Sequence, residues 1–594
     1  MNRILGGVSL REWMSRESLS VCPPTRFPSD VMHRAQLLPL FVALLFVGCQ
    51  TTASVDRNAP VAPLLEGLGQ HAMPVTTTPE AQRYFNQGLV LAYGFNHAEA
   101  ARSFRAAQQL DPECAMCYWG EALVLGPNIN APMNSENNEA AWTALQTARR
   151  LSTAARTRLS EVGARGPIRL RPGQHQPLSK KEAALIQALS ARYAETAPAD
   201  RSALDRAYAD AMRPVAAQYP DDPDVQALFA EALMDTTPWE YWEPDDSPKP
   251  VTQEFTAAIE RALARDVNHP GANHLYIHAV ESVHPEKGLA AAKRLDGLVP
   301  GAGHLVHMPG HIYVRTGRYH DAVRVNQDAA AADERYIEQT QAQGFYPLLY
   351  YPHNYHFLWF AAMMGGEGTV AIEAAQTIQA TLRDDMISAS QLRATLILTY
   401  ARFERWDALL DLNAPSDEHL YTNAMWHYGR GLAHLNEGTV EAAGAELAAL
   451  TKIVESEAAQ ALEQPFFYGF SQVRIAQHIL QGELAGARGD SARRIEHLRT
   501  AVELQDELPY MEPPYWYYPV RQSLGAALLE DGRYQEAEAI YREDLDHFVE
   551  NGWSLHGLAQ SLQAQGRTVE AEAVQARFEQ AWIHADLTLD RSSF

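Results

Sequence analysis

The chain has 594 residues, of which 46% are hydrophobic, and its formal net charge at pH 7 is -24. A strongly negative protein repels phosphate backbones and anionic lipid surfaces, so nucleic acid is excluded as a partner of the folded body. One hydrophobic core rarely serves more than about 250–300 residues. The chain therefore divides into domains or forms an array of repeats.

The first 78 residues have the pattern of an export signal followed by a tether. A basic start at Met32 precedes the apolar run LLPLFVALLFVGC, which suits a signal peptide and is too short to span a membrane. The small residues before Cys49 resemble a bacterial lipobox, which implies that Cys49 is lipidated; an ordinary cleaved signal is the alternative. We expect residues 1–31 to be an untranslated or disordered extension, 32–48 a lipoprotein signal peptide and 49–78 a flexible tether. The resemblance implies an exported outer-membrane lipoprotein that faces the periplasm.

Beyond the tether, large and small residues recur at a spacing of 34. RQSLGAALLEDGRYQEAEAIY aligns with WSLHGLAQSLQAQGRTVEAEAVQ, so that Gly525 matches Ala559 and Gly532 matches Gly566. The same skeleton occurs near the start of the body, at Tyr84, Gly88, Ala100, Phe104, Ala107 and Pro112.

This pattern resembles the tetratricopeptide repeat (TPR), and the resemblance implies an all-α, right-handed solenoid of stacked helix-turn-helix units. We predict N-terminal repeats at 79–150, an irregular helical segment with an aromatic loop at 151–250, and histidine-rich repeats at 251–384. C-terminal repeats and a cap follow at 385–594.

Two cysteines and several aromatic residues stand out along this body. Cys114 and Cys117 are expected to be small buried helix residues, with a redox or metal role as the alternative; Tyr118 in place of histidine excludes c-type haem. Loop aromatic residues either pack on a repeat edge or cover a ligand site. The candidates for such a lid or groove wall are Trp239, Trp242, Tyr346, Tyr350, Tyr351, Trp516 and Tyr517.

Histidines recur three and four residues apart in three successive predicted helices. Such residues share one helix face, and first helices of neighbouring units lie about 8–10 Å apart, so their imidazoles can reach one ion. A lone histidine is more often simply packed, but three helices repeat the pattern. We predict metal ligands among His274, His278, Glu281, His304, His307, His311, His353 and His356.

The repeat register predicts that these side chains line a concave groove. His304, His307, His353 and His356 are the expected core ligands, because two adjacent helices present the same pair. Pro309 is comfortable only in a first helical turn, so we expect the helix to begin near Val306, with His304 in the entering loop.

Imidazole ligands without thiolate favour one or two ions of Cu, Zn or Fe. The sequence contains no Gly-rich phosphate loop or serine-nucleophile motif, so no nucleotide cofactor is expected. Three functions stay open: an envelope-anchored protein that binds a peptide, protein or small molecule in a metal-holding groove; a metal-dependent oxidase, oxygenase or hydrolase; and a metal-free interaction scaffold. HMPGHIYVRTGRY and MEPPYWYYPVRQSLG also resemble a group of exported bacterial TPR lipoproteins, a resemblance that implies no activity.

Overall fold

A computed structural model describes residues 62–163, 178–384, 386 and 389–593. Within these ranges every regular element is a helix, apart from two isolated β-bridges. The first part contains α1 (Pro79–Tyr93), α2 (His97–Leu110), α3 (Ala115–Val124), a 3-10 turn (Ser135–Asn137), α4 (Asn138–Gly163), α5 (Lys180–Leu189), α6 (Ser202–Gln218), α7 (Pro223–Met234), α8 (Pro250–Arg265) and α9 (Pro270–Val280).

The central part follows without a change of architecture. It contains α10 (Pro285–Leu295), α11 (Gly303–His307), α12 (Pro309–Arg315), α13 (Tyr319–Thr340), α14 (Phe345–Gly365), α15 (Gly368–Thr381), α16 (Ala389–Leu392), α17 (Thr395–Arg402) and α18 (Trp406–Leu410). The last part contains α19 (Leu420–Asn436), α20 (Val440–Val454), α21 (Glu457–Gln460), α22 (Gly469–Ala487), α23 (Ser491–Asp506), α24 (Arg521–Glu530), α25 (Tyr534–His547), α26 (Gly552–Ala564) and α27 (Thr568–Ala581).

Glycine and aromatic residues interlock the helices at both ends of the array. Phe104 is fully buried, and its ring lies against Gly88 of α1 and Gly120 of α3 so closely that a Cβ at either glycine would clash with it. Tyr541 of α25 lies in the same way between Gly525 and Gly557. The aromatic residue is midway in sequence between its two glycines in both cases. Each second helix is therefore wedged between the first helix of its own unit and that of the next.

Most consecutive helices of the described ranges pack on one another, and where a short helix intervenes its neighbours pack instead, as α15 does on α17; the predicted all-α solenoid of TPR-like helix pairs is confirmed. The array also curves back on itself, because α1 packs against α9 and α14 packs against α26. Trp582, just after α27, lies against Gly366. Asp586 caps α15 by accepting hydrogen bonds from the backbone N–H groups of Gly368 at 2.6 Å and Thr369 at 2.8 Å.

The histidine-bearing segment 303–315 is broken into two short helices. Pro309 occupies the first turn of α12, where its missing N–H costs nothing, and α11 ends before it at His307. His304 lies inside α11, so the expectation of an entering loop with a helix starting near Val306 is wrong. The proline separates two helices rather than marking where the first one starts.

The expected tether and cysteine arrangement also differ from the structure. Residues 62–78 pack on the body: Met73 is fully buried, and the backbone N–H of Leu65 donates to Gln87 at 2.8 Å. The predicted flexible tether is therefore wrong for these residues, whereas the signal peptide and Cys49 lie outside the described residues.

Cys114 and Cys117 form a disulfide with Cα atoms 5.4 Å apart, because Cys114 is the extended N-cap of α3 rather than a helical residue.

A membrane-spanning segment is not found among the described helices, since none combines the length and the apolar character that a bilayer requires.

Candidate metal centre

Three histidines from α9 and α11 converge in the interior and form the first triad: His274, His278 and His304. One nitrogen from each lies within 4.8 Å of the others. Their ring centroids are 4.8 Å apart for His274 and His278, and 5.0 Å apart for His274 and His304. The three side chains are almost completely buried.

Hydrogen bonds fix the rings of His274 and His278 but leave their Nε2 atoms without a partner in the described ranges. The Nδ1–H of His274 donates to the backbone oxygen of Tyr93 at 2.6 Å, and His278 Nδ1 lies 3.2 Å from the Glu281 carboxylate. The Nε2 atoms of both histidines have no hydrogen-bond partner among the described residues, and neither nitrogen of His304 has one. A buried polar atom without a partner is costly. Nδ1 held by a carbonyl or carboxylate, with Nε2 left free, is the arrangement of metal-binding histidines.

A second triad lies beside the first and consists of His307, His311 and His353, from α11, α12 and α14. One nitrogen from each again lies within 4.8 Å of the others. His307 Nδ1 donates to Asn326 Oδ1 at 2.6 Å, and the Asn326 amide N–H donates to the Ala322 carbonyl, which fixes the orientation of that amide. His311 Nδ1 lies 2.8 Å from Glu512 and 3.1 Å from Glu281.

Two nitrogens of the second triad face each other at short range. His307 Nε2 and His311 Nε2 are 2.9 Å apart, and each ring already directs its Nδ1 at an acceptor. In two neutral rings both Nε2 atoms then carry lone pairs, which repel at this distance. A positive charge between them removes the repulsion. Two nitrogens bound at about 2.0–2.1 Å to a tetrahedral zinc ion lie about 3.3 Å apart, close to the observed separation.

Burial keeps most of these rings neutral and thus able to bind metal. It lowers the pKa of His274, His278, His304, His307 and His353 well below the usual 6.5. Burial alone would also lower the pKa of His311, but Glu281 and Glu512 raise it. His311 is therefore the ring whose protonation competes with a metal ion.

Glu281 and Glu512 are the carboxylates bonded to the triads in the described ranges. Glu281 contacts one ring from each triad, because His278 and His311 both lie within 3.2 Å of it. Burial raises the pKa of Glu281 to about 7 and also raises that of Glu512. Glu512 was not predicted: it comes from a segment 201 positions further along the chain than His311, and no local pattern points to it.

A chain of hydrogen bonds between polar side chains ends on the backbone of His304 and holds it in position. The fully buried Asp333 accepts hydrogen bonds from the Tyr346 hydroxyl at 2.8 Å and the Asn354 amide at 2.7 Å. The Tyr346 hydroxyl in turn accepts the backbone N–H of His304 at 3.1 Å. The ring of Tyr350 lies 4.5 Å from that of His304. The structure thus places Tyr346 and Tyr350 at the first triad.

The other predicted aromatic residues divide between this centre and the rest of the array. Trp239 packs edge-on against His278, with ring centroids 5.1 Å apart, and Trp242 donates to the Ala279 carbonyl on the same helix. Tyr351 instead bonds Glu334 on the surface. Trp516 and Tyr517 are buried in a separate cluster, where the Tyr517 and Tyr428 hydroxyls are 3.0 Å apart.

His356 joins neither triad. Its ring stacks on Trp359 at 5.4 Å, and burial lowers its pKa to about 4. The four expected core ligands therefore do not form one set: His304 belongs to the first triad, while His307 and His353 belong to the second.

Another buried cluster was missed by the sequence analysis and has a different character. Asp224 accepts hydrogen bonds from the Tyr93 hydroxyl and from His71, both at 2.9 Å, and lies 3.3 Å from His269 Nε2. The backbone N–H of Ala272 donates to His269 Nδ1, so the proton of that ring is on Nε2 and points at Asp224. This hydrogen-bond network fastens residues 62–78 to α7 and to the start of α9, and both nitrogens of His269 already take part in it, although the three side chains lie close enough to hold an ion.

Fold and centre together define an all-α helical-repeat protein of the TPR type with two three-histidine clusters in its central repeats, buried except for the partly exposed His353. No protein-family model and no curated protein matches the chain. Solved structures match it over most of its length at low identity and low TM-score, so the helix packing described above carries the fold assignment. They include the human IFIT1 dimer with m7Gppp-AAAA (11% identity, 87% of this chain and 91% of that one, TM-score 0.29), the APC/C hetero-tetramer Cut9–Hcn1 (13%, 84% and 76%, 0.27) and the TPR domain of P58(IPK) (11%, 82% and 99%, 0.20).

Proposed function

We propose that this chain is an exported, lipid-anchored TPR-type protein whose central repeats bind two transition-metal ions, one in each triad. The observation that carries the proposal is the 2.9 Å approach of His307 Nε2 and His311 Nε2, with both Nδ1 atoms already engaged. The unpaired buried nitrogens of His274, His278 and His304 support a second ion beside the first.

The donor set narrows the identity of the metal. Six imidazoles form the two triads, and the carboxylates contact the Nδ1 atoms of His278 and His311. Such a set of ligands suits Zn, Cu or Fe rather than Mg or Ca, which prefer oxygen ligands. Three protein ligands also leave a coordination position open in each triad, as in catalytic zinc sites. That opening supports the binding of an external ligand.

The same opening favours a metal-dependent enzyme as the second candidate function. A bound ion would polarise a substrate or activate water for hydrolysis, and a redox-active ion would serve an oxidase or oxygenase. The buried Glu281, which contacts both triads, is the group placed to exchange protons there.

Metal analysis of purified protein tests the proposal. We expect about two ions per chain by mass spectrometry, one lost in His278→Ala and the other lost in His353→Ala. His478→Ala is the matched control, because this half-buried histidine pairs with His497 in the C-terminal repeats, away from both triads. Circular dichroism checks that each variant stays helical. Absence of stoichiometric metal, or equal metal in all variants, rejects the proposal; His311 would then be an imidazolium that donates to His307 within a metal-free scaffold.

Membrane fractionation tests the anchor separately. Cys49→Ser is expected to move the exported protein from the membrane to the soluble fraction. Equal fractionation of wild type and Cys49→Ser contradicts lipidation and points to an ordinary signal peptide.

A further inference from the structure

The charge balance of the two triads calls for an anion from outside the chain. Neutral imidazoles bring no negative charge, so two divalent ions place four positive charges in the interior. The carboxylates bonded to the triad rings are Glu281 and Glu512, and Arg315 adds another positive charge 3.7 Å from Glu512. Unbalanced buried charge is costly. The open coordination positions therefore favour an anionic ligand, although the whole protein is strongly negative.

The surface nearest this centre carries exposed aromatic side chains. Trp239 is 40% exposed and Tyr510 is 44% exposed, and both belong to the few large apolar residues that the described ranges leave open to solvent. Trp239 lies edge-on against the ring of His278. Tyr510 donates its hydroxyl hydrogen to Glu512, which contacts His311. One exposed aromatic ring thus stands beside each triad, where the ring of a ligand can pack on it.

Arg315 connects Tyr510 to the buried carboxylates. Its guanidinium donates to the backbone oxygens of Glu281 and Ser282, at 3.3 and 3.2 Å, and lies 5.5 Å above the Tyr510 ring. The side chain is 28% exposed. An anchored guanidinium that still reaches solvent suits a planar carboxylate, which it recognises with parallel hydrogen bonds.

We propose that the ligand of this centre is a small aromatic carboxylate, whose anionic group faces the metal ions and Arg315 while its ring packs on Trp239. The inference rests on the proposed metal binding and assigns the chemical class of what the open positions take. Trp239, Arg315 and Tyr510 form the recognition surface.

The test compares 4-fluorobenzoate with 4-fluorobenzamide, which has nearly the same shape but no charge, by 19F NMR titration of the zinc-loaded full-length protein. We expect saturable binding of the carboxylate only, and its loss when zinc is removed. Arg315→Gln should weaken binding by roughly ten-fold or more, as expected for a hydrogen bond to a charged group. Trp239→Ala should weaken it by several-fold, as expected for a lost aromatic contact. Arg324→Gln is the matched control, since this part-exposed arginine pairs with Asp296 instead of the carboxylates at the triads.

Metal content is measured on every sample, which separates the two proposals. Zinc-loaded protein that binds the benzamide as well as the benzoate, or neither of them, overturns the aromatic-carboxylate site and leaves metal binding intact. The same follows if Arg315→Gln keeps both its zinc and its affinity for the benzoate. A protein that takes up no zinc, copper or iron overturns both proposals.

Discussion

The orientation of His307 depends on a single amide. Asn326 accepts its Nδ1–H at 2.6 Å and is itself fixed by the Ala322 carbonyl, so the lone pair of Nε2 points at the second triad. We predict that Asn326→Ala lowers metal affinity by about 10–100-fold, the usual cost of losing such an outer hydrogen bond. Competition with a colorimetric chelator measures the change. Asn423→Ala, whose amide bonds only the backbone near the surface, is the control; equal affinity in the two variants would contradict the role of Asn326.

His356 lowers the free energy of unfolding of the metal-free protein at acidic pH, and replacing it with phenylalanine removes this contribution. The unfolded chain protonates this histidine below about pH 6.5, whereas the folded chain does so only near pH 4. The unfolded state thus binds more protons in this window, and the free energy of unfolding falls as pH falls. Relative to His356→Phe, the free energy of unfolding of wild type should fall by about 1.5 kcal/mol between pH 6.5 and pH 5, because the slope rises towards roughly 1.4 kcal/mol per pH unit below the unfolded-state pKa. Urea titrations at the two pH values measure this; a constant difference between the two proteins would refute it.

At the scale of the helix, the space around a glycine decides whether a change to alanine lowers or raises the free energy of unfolding. Gly557 of α26 lies against the Tyr541 ring, whereas Gly444 of α20 has only the end of the Arg488 side chain within 4 Å of an added Cβ. We predict that Gly557→Ala lowers the free energy of unfolding by about 1–3 kcal/mol through overpacking. Gly444→Ala should raise it by up to about 1 kcal/mol, because alanine favours the helix. Thermal or urea unfolding compares the two; stabilisation by both changes would show that α25 and α26 are not wedged together as described.

Helix periodicity explains both what the sequence predicted and where it failed. Spacings of three and four residues fix a common helix face, so His274 with His278, and His307 with His311, could be paired from the sequence. The same rule could not separate His353 from His356, because the choice between a triad and Trp359 depends on the packing around α14. Cys114 was misplaced by a single residue at a helix start, which is where sequence patterns are least informative.

At the scale of the whole molecule, the centre depends on contacts that span the chain. Tyr93 of α1 accepts from His274, and Glu512, which lies between α23 and α24, accepts from His311. Repeat patterns describe neighbouring units, and they contain no signal for a curvature that returns the first helix and a late loop to the central repeats. The TPR-type fold and Glu281 were therefore predictable from the sequence, whereas Glu512 and the division into two triads were not.

This curvature predicts that metal binding stiffens distant segments together. A ligand that binds only the folded state suppresses the openings that break its site. We expect added zinc to slow amide hydrogen exchange in α1, in α11 and in residues 510–518, because these segments meet at the triads. Exchange in α20, which packs on α19 and α22, should be unchanged. Hydrogen-exchange mass spectrometry with zinc and with chelator makes the comparison, and His353→Ala should lose the effect at 510–518 while α1 keeps it. Protection confined to α11 would mean that the first helix and the late loop do not close on the centre.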